Sequence, residues 1–179
     1  MAGWEKTIAG IKERAGLYHG VCILLCLMIF YMGVTGDVMP VKKLGKSLGT
    51  PAAVLGGLCF AYYLLRELFV RGRKRGWKLP AQVDSGWKST LKVLRLLHPL
   101  LGIFMAYLVW LHGSLLLWAG VSLRSSRMVS GLAEGLLALF LLLSGSWLLR
   151  QKALRRWHRW VGCLAIVLFL VHVYVKIKF

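Results

Sequence analysis

Apolar residues along this chain gather into five long runs, at about 17–36, 51–70, 97–120, 129–149 and 160–177, and most of the charge lies between them. A membrane-spanning helix needs roughly 20 predominantly apolar residues, so each run predicts one crossing. The expected fold class is all-α, an integral membrane bundle of five transmembrane helices. Residues 1–16 read as an amphipathic segment at the membrane interface, anchored by Trp4, and 17–179 as a single membrane domain. Pro40 and three lysines mark an outer loop over 37–50, with Pro51 opening the second span. Residues 71–95 form the largest expected extramembrane piece, a basic loop with a turn-prone RGRKRGWKLP core, in which Gly86 to Leu97 can make a surface helix. The connections near Ser122–Met128 and Arg150–Trp157 are short, which favours antiparallel neighbours and makes the third and fifth spans parallel.

Composition sharpens this picture. Hydrophobic residues make up 58% and charged residues 17% of 179 residues, with a mean hydropathy of +0.66, outside the range of an ordinary soluble domain. The five runs use most of the chain, so no nucleotide- or flavin-binding domain is expected within it. The first run is long enough to span and follows a charged stretch, unlike a cleavable leader.

The net charge of +18 follows the membrane rather than pointing to nucleic acid. The segments before the first span, between the second and third, and between the fourth and fifth fall on one side and hold 17 of the 24 basic residues. Such a bias places them in the cytoplasm, with the N-terminus inside and the C-terminus outside, as in a prokaryotic cytoplasmic membrane. The 71–95 segment is also a candidate docking face for an acidic partner or anionic lipid. Cys22, Cys26, Cys59 and Cys163 all lie in apolar runs and read as packing residues. No C-x-x-C-H sequence or four-cysteine cluster suggests covalent haem or an iron–sulfur centre.

Four histidines carry the candidate chemistry. His98 and His112 are fourteen residues apart in the third span, and His158 and His172 repeat the interval in the fifth. Fourteen residues fall about 40° short of four helical turns, so both members of a pair share a face, and a rise of about 1.5 Å per residue separates them by about 21 Å. One pair cannot chelate a single ion. Parallel third and fifth spans instead bring His98 level with His158, and His112 level with His172, as two stacked bis-histidine sites for two b haems. A histidine inside a membrane is costly, and its alternative reading is a hydrogen bond between helices.

Gly102 and Gly162 follow their histidines by four residues, in HPLLG and HRWVG, where a glycine lets a porphyrin approach the backbone or simply lets helices pack. Arg95, Arg155, Arg156 and Arg159 near the inner ligands, and Arg124 and Arg127 near the outer ones, are candidate partners for haem propionates or plain topology residues. Met105, Val109, Ala165 and Phe169 are expected between the two haem levels. Glu134 in the fourth span and His19 in the first are candidates for a proton or quinone site. Alternatively, Glu134 reaches toward Arg124 or Arg127. Glu67 reads as a surface ion pair with its arginine neighbours.

With H-x13-H on both the third and fifth spans and HRWVG opening the fifth, residues 15–177 resemble the ferric reductase-like transmembrane domain, which is shared by ferric reductases, NADPH oxidases and the haem subunit of a bacterial methionine sulfoxide reductase system. The resemblance implies one or two b haems between those helices, ligated by His98, His112, His158 and His172. The fused flavin and nicotinamide domain of ferric reductases and NADPH oxidases is not expected within these 179 residues. The quinol-oxidising cytochrome of the bc complexes repeats the same interval in a much longer chain.

The expected function is transmembrane electron transfer by a di-haem cytochrome b subunit of a larger membrane oxidoreductase. It would link a cytoplasmic redox subunit, a flavin or iron–sulfur protein on the basic inner face, with the quinone pool (menaquinone or ubiquinone) or an outer acceptor. The alternatives are a transmembrane ferric or oxygen reductase module lacking its flavin domain, and a haem-free membrane scaffold. Membrane lipid is the surrounding partner, and nucleic acid is not expected.

Overall fold

A computed structural model describes Gly10 and residues 14–35, 40–147 and 152–178, without the side chains of residues 15, 146, 147, 152 and 153. The expected interfacial segment 1–16 lies almost wholly outside the described residues, as does part of the connection at Arg150. Five α-helices follow in order: α1 (Ala15–Thr35), α2 (Val41–Lys74), α3 (Ala81–Trp118), α4 (Ser126–Trp147) and α5 (Lys152–Lys178). No strand occurs among the described residues. All five helices are long and apolar enough to cross a membrane. Many of their large apolar side chains point outward, with Leu24 at 68% and Ile177 at 80% exposure. Helices apolar on their outer faces require lipid there rather than water.

Two boundaries differ from expectation. Residues 41–50 are not a loop: α2 begins at Val41 behind Pro40, carries Lys42, Lys43 and Lys46 in its first turns, and runs on through Pro51. Proline forfeits its own N–H bond and crowds the carbonyl one turn back, yet the helix continues on both sides of Pro51. The basic 71–95 segment is not a loop either. Only residues 75–80 leave the helices, because α3 starts at Ala81, well before Gly86, and continues through Pro99. Helices of 34 and 38 residues measure about 50 and 57 Å against a hydrocarbon core of roughly 30 Å. The α2–α3 hairpin therefore projects well beyond the apolar layer.

Local chemistry explains that projection. Gly76, at φ 82, ends α2 with Trp77 N–H donating to the Gly72 carbonyl and Gly76 N–H to that of Arg73, the bonding pattern of a left-handed glycine cap. The Trp77 ring lies against Gly72 and leaves no room for a side chain there. Phe69 stacks on Trp87 with ring centres 6.0 Å apart, while Asp84 joins Lys88 at 2.6 Å and Arg73 at 3.8 Å. The Arg66–Glu67–Arg71 ion pairs expected from the sequence are present on the same hairpin. Gly120, at φ 75, repeats the cap at the end of α3. Ser125 then caps α4 by accepting from the Met128 N–H.

α3 is the centre of the bundle. It packs most extensively against α2 and also against α4 and α1, and α5 packs along α4. Ile103, Ala106, Leu111 and Leu115 of α3 are buried in these contacts. α3 and α5 scarcely touch each other. The space between them is a cavity.

Candidate functional site

All four histidines line that cavity, whose volume is about 2950 Å³ and whose wall is built by α2, α3, α4 and α5, with Tyr18 the contribution of α1. A typical small-ligand pocket measures roughly 300–1,000 Å³, so the space takes more than one ligand of that size. His98 and His158 meet at the basic end, nearest residues 75–80, with ring centres 6.4 Å apart and planes 82° from parallel. His112 and His172 face the cavity at the far end, close enough to interact electrostatically.

Hydrogen bonds set the tautomer of three of these rings. His112 Nδ1 lies 2.6 Å from the Gly45 carbonyl of α2, which can only accept, so Nδ1 carries the proton. His172 Nδ1 lies 3.0 Å from Ser130 Oγ, and that hydroxyl already donates its hydrogen to the Arg127 carbonyl. His158 Nδ1 lies 2.8 Å from Ser144 Oγ, which likewise donates to the Leu141 carbonyl. A hydroxyl whose proton is committed must accept from the imidazole. Nε2 is then left as a bare lone pair in each case, the arrangement in which histidine binds a metal while its other nitrogen is held by an outer partner. His98 differs: its Nδ1 is buried without a partner, beside the Tyr62 ring at 5.2 Å.

Glycines make room for the rings. A side chain at Gly49 would meet His112 Cε1 at 3.1 Å, one at Gly131 would meet His172 Cε1 at 3.2 Å, and one at Gly145 would meet His158 Cε1 at 3.5 Å. None of Gly45, Gly49, Ser130, Gly131, Ser144 and Gly145 was expected from the histidine spacing. A signal was available in α4, where Ser130-Gly131 and Ser144-Gly145 repeat at the same interval of fourteen as the histidines they serve.

The remaining expected residues divide clearly. Gly102 and Gly162 line the cavity; a Cβ on Gly102 would meet nothing within 4 Å and one on Gly162 only Leu141 at 4.0 Å. Gly102 is therefore not spent on helix packing. Met105, Val109, Ala165 and Phe169 all line the wall. Arg95, Arg155 and Arg159 line the basic end and Arg127 the far end, whereas Arg124 and Arg156 lie outside the wall and are exposed. His19 is away from the cavity, its Nδ1 3.2 Å from the Tyr107 hydroxyl. Tyr107 is nine residues from His98, about half a turn round α3. Glu134 lines the cavity with Oε2 buried and unpartnered, and it makes no ion pair with Arg124 or Arg127.

Charge and ligand number narrow what the cavity suits. Among the described residues its wall holds ten Lys and Arg against one carboxylate, Glu134, a potential that favours anionic groups. Among the described residues no three His, Cys, Asp or Glu side chains converge on one point. Bare zinc in a structural site takes four ligands, whereas a porphyrin supplies four nitrogens of its own and needs only an axial pair. An imidazole nitrogen binds a metal at about 2 Å, and the ring centre lies about 1 Å further on, so two axial rings across one metal have centres roughly 6 Å apart. The His98–His158 separation fits that spacing.

Comparison with known proteins finds no match among family models, curated proteins or solved structures.

Proposed function

We propose that this chain is a di-haem b-type cytochrome, the transmembrane electron-transfer subunit of a membrane oxidoreductase. The observation that carries the reading is that histidines from α3 and α5 line one cavity, with His98 and His158 at a ring separation suited to axial ligation. His98 and His158 would hold one haem at the basic end, and His112 and His172 a second at the far end. When bound, each haem supplies a one-electron carrier. The chain's own residues orient the ligands, through Gly45, Ser130 and Ser144, and exclude water between the levels, through Met105, Val109, Ala165 and Phe169. Arg95, Arg155 and Arg159, which line one end, and Arg127, which lines the other, would neutralise propionates. The resemblance in spacing to the ferric reductase-like transmembrane domain supports the same ligand set.

Basic-residue bias puts the projecting α2–α3 hairpin in the cytoplasm, where it would receive an acidic redox subunit. Electrons would then pass between that partner and the quinone pool or an outer acceptor. A terminal reductase of ferric ion or oxygen at the far end is the nearest alternative. The scaffold reading has one observation in its favour: the Nδ1 bonds of His112, His158 and His172 each bridge two helices. Those bridges run within the α2–α3 and α4–α5 hairpins, however, and give no reason for all four rings to line a common cavity.

The test is a dithionite-reduced minus oxidised absorbance spectrum of purified protein with pyridine haemochrome quantitation. Two b haems per chain are expected. No haem after haem-replete expression would overturn the reading in favour of the scaffold.

A further inference from the structure

Glu134 is the one carboxylate among the described residues that line the cavity, and nothing in the electron-transfer reading uses it. Its Oε2 is buried without a hydrogen-bond partner. The ion pairs of the described residues all lie on the α2–α3 hairpin, and none includes Glu134. Burying an ionised carboxylate without a partner is costly enough that the group is held neutral or meets a compensating charge. Its height in the bundle says which charge that is. Glu134 lies one helical turn, about 6 Å, from Ser130, the residue that holds His172, and about 15 Å from Ser144, which holds His158. It therefore belongs to the far-end pair.

The neighbouring helices α3 and α5 present His112, His172 and Lys176 to this end of the cavity, α4 itself presents Arg127, and α2 presents Lys42 and Lys46 across it. An oxidised bis-histidine haem core would carry a net positive charge that its reduced form lacks, so reduction would remove one of the positive charges that favour an ionised Glu134 at this end of the cavity.

We infer that reduction of the far-end site is coupled to uptake of a proton by Glu134, which makes this end of the cavity a proton-loading site. The inference rests on the haem reading above. For each electron accepted from a one-electron donor, one proton passes from water at the far end to Glu134, converting its carboxylate to a carboxylic acid. Oxidation reverses both changes, and the only bond made or broken is the carboxyl O–H. Glu134 is eight residues into α4, about 12 Å from Ser126 at the far-end mouth, within reach of that water.

The test is a potentiometric titration of the holoprotein at several pH values, for wild type and Glu134→Gln, with waves assigned by the single loss each shows in His112→Ala or His158→Ala. The far-end potential of the wild type should fall as pH rises, toward about 59 mV per unit, the limit for one proton per electron at a tenfold change in proton activity. The basic-end potential should stay nearly flat. Glu134→Gln should flatten the far-end slope and raise that potential at high pH, with haem content unchanged. The reduced-minus-oxidised infrared spectrum should lose a protonated-carboxyl C=O band in the same variant. A slope that survives Glu134→Gln assigns the proton to a propionate and overturns the inference, as does a flat far-end wave in the wild type. In both cases the two haems would remain, whereas absence of haem would overturn the electron-transfer reading itself.

Discussion

The α4–α5 and α2–α3 hairpins carry the same pair of histidines at the same interval and support them differently. In α4, Ser130-Gly131 and Ser144-Gly145 serve His172 and His158 alike, with a hydroxyl for Nδ1 and a glycine beside Cε1. α2 has no such hydroxyl. His112 reaches a main-chain carbonyl, that of Gly45, with Gly49 alongside, and His98 has the Tyr62 ring nearby but no partner for Nδ1. A helical carbonyl keeps a second lone pair, yet an imidazole gains it only if the helices approach closely. Glycines at 45 and 49 permit that approach. One hairpin thus orients its ligands with side chains and the other with proximity, so they should fail in different ways.

The largest break is removal of a ligand. His112→Ala or His172→Ala should remove the far-end haem and leave the basic-end one, and His98→Ala or His158→Ala should do the reverse. Haem per chain falls from two to one in each, as measured by pyridine haemochrome. Retention of both haems in any of the four would break the pairing.

Next in size is loss of an acceptor in α4. Partners of metal-bound histidines are commonly worth about 10–100-fold in affinity, so Ser144→Ala and Ser130→Ala should each speed haem transfer to apomyoglobin by that order, from the basic-end and far-end sites respectively. No substitution in α2 can delete the Gly45 carbonyl in the same way.

Crowding tests α2 instead. Gly49→Ala places a methyl 3.1 Å from the His112 ring, closer than the 3.5 Å of Gly145→Ala at His158. Overpacking of this kind costs about 1–3 kcal/mol, so thermal unfolding in detergent should show a larger loss for Gly49→Ala than for Gly145→Ala. Gly102→Ala should be mildest for the haem-free fold, because its Cβ meets nothing and alanine favours a helix by roughly 0.5–1 kcal/mol. If a porphyrin lies against Gly102, the same variant loses haem while its apoprotein melts no lower.

How much of this was legible in the sequence varies by element. The five helices were, because apolar runs of spanning length leave few alternatives. Their ends were less so: Pro51 and the RGRKRGWKLP stretch read as interruptions, yet α2 runs through the first and only residues 75–80 of the second region leave the helix. Proline and glycine mark possible breaks, and tertiary packing such as Phe69 on Trp87 decides which are used. Of the six arginines expected near the ligands, Arg124, in the turn before α4, and Arg156, on α5, are exposed and do not line the cavity, since closeness in sequence does not specify where a side chain lies among neighbours. His19 stands near the start of α1, as its place in the sequence implies, and its bond to Tyr107 was not legible there.

The sequence by itself determined the number of spanning helices, the charge asymmetry between their ends and the shared face of each histidine pair, because these follow from residue type and a fixed helical period. Only the tertiary structure decided that α3 and α5 stand apart around a cavity, that Ser130, Ser144 and the Gly45 carbonyl hold three of the four rings, and that Glu134 is left unpaired. Those outcomes depend on how closely separate helices approach, and that distance is set by small residues and side-chain volumes meeting in space, which no periodicity along one helix contains.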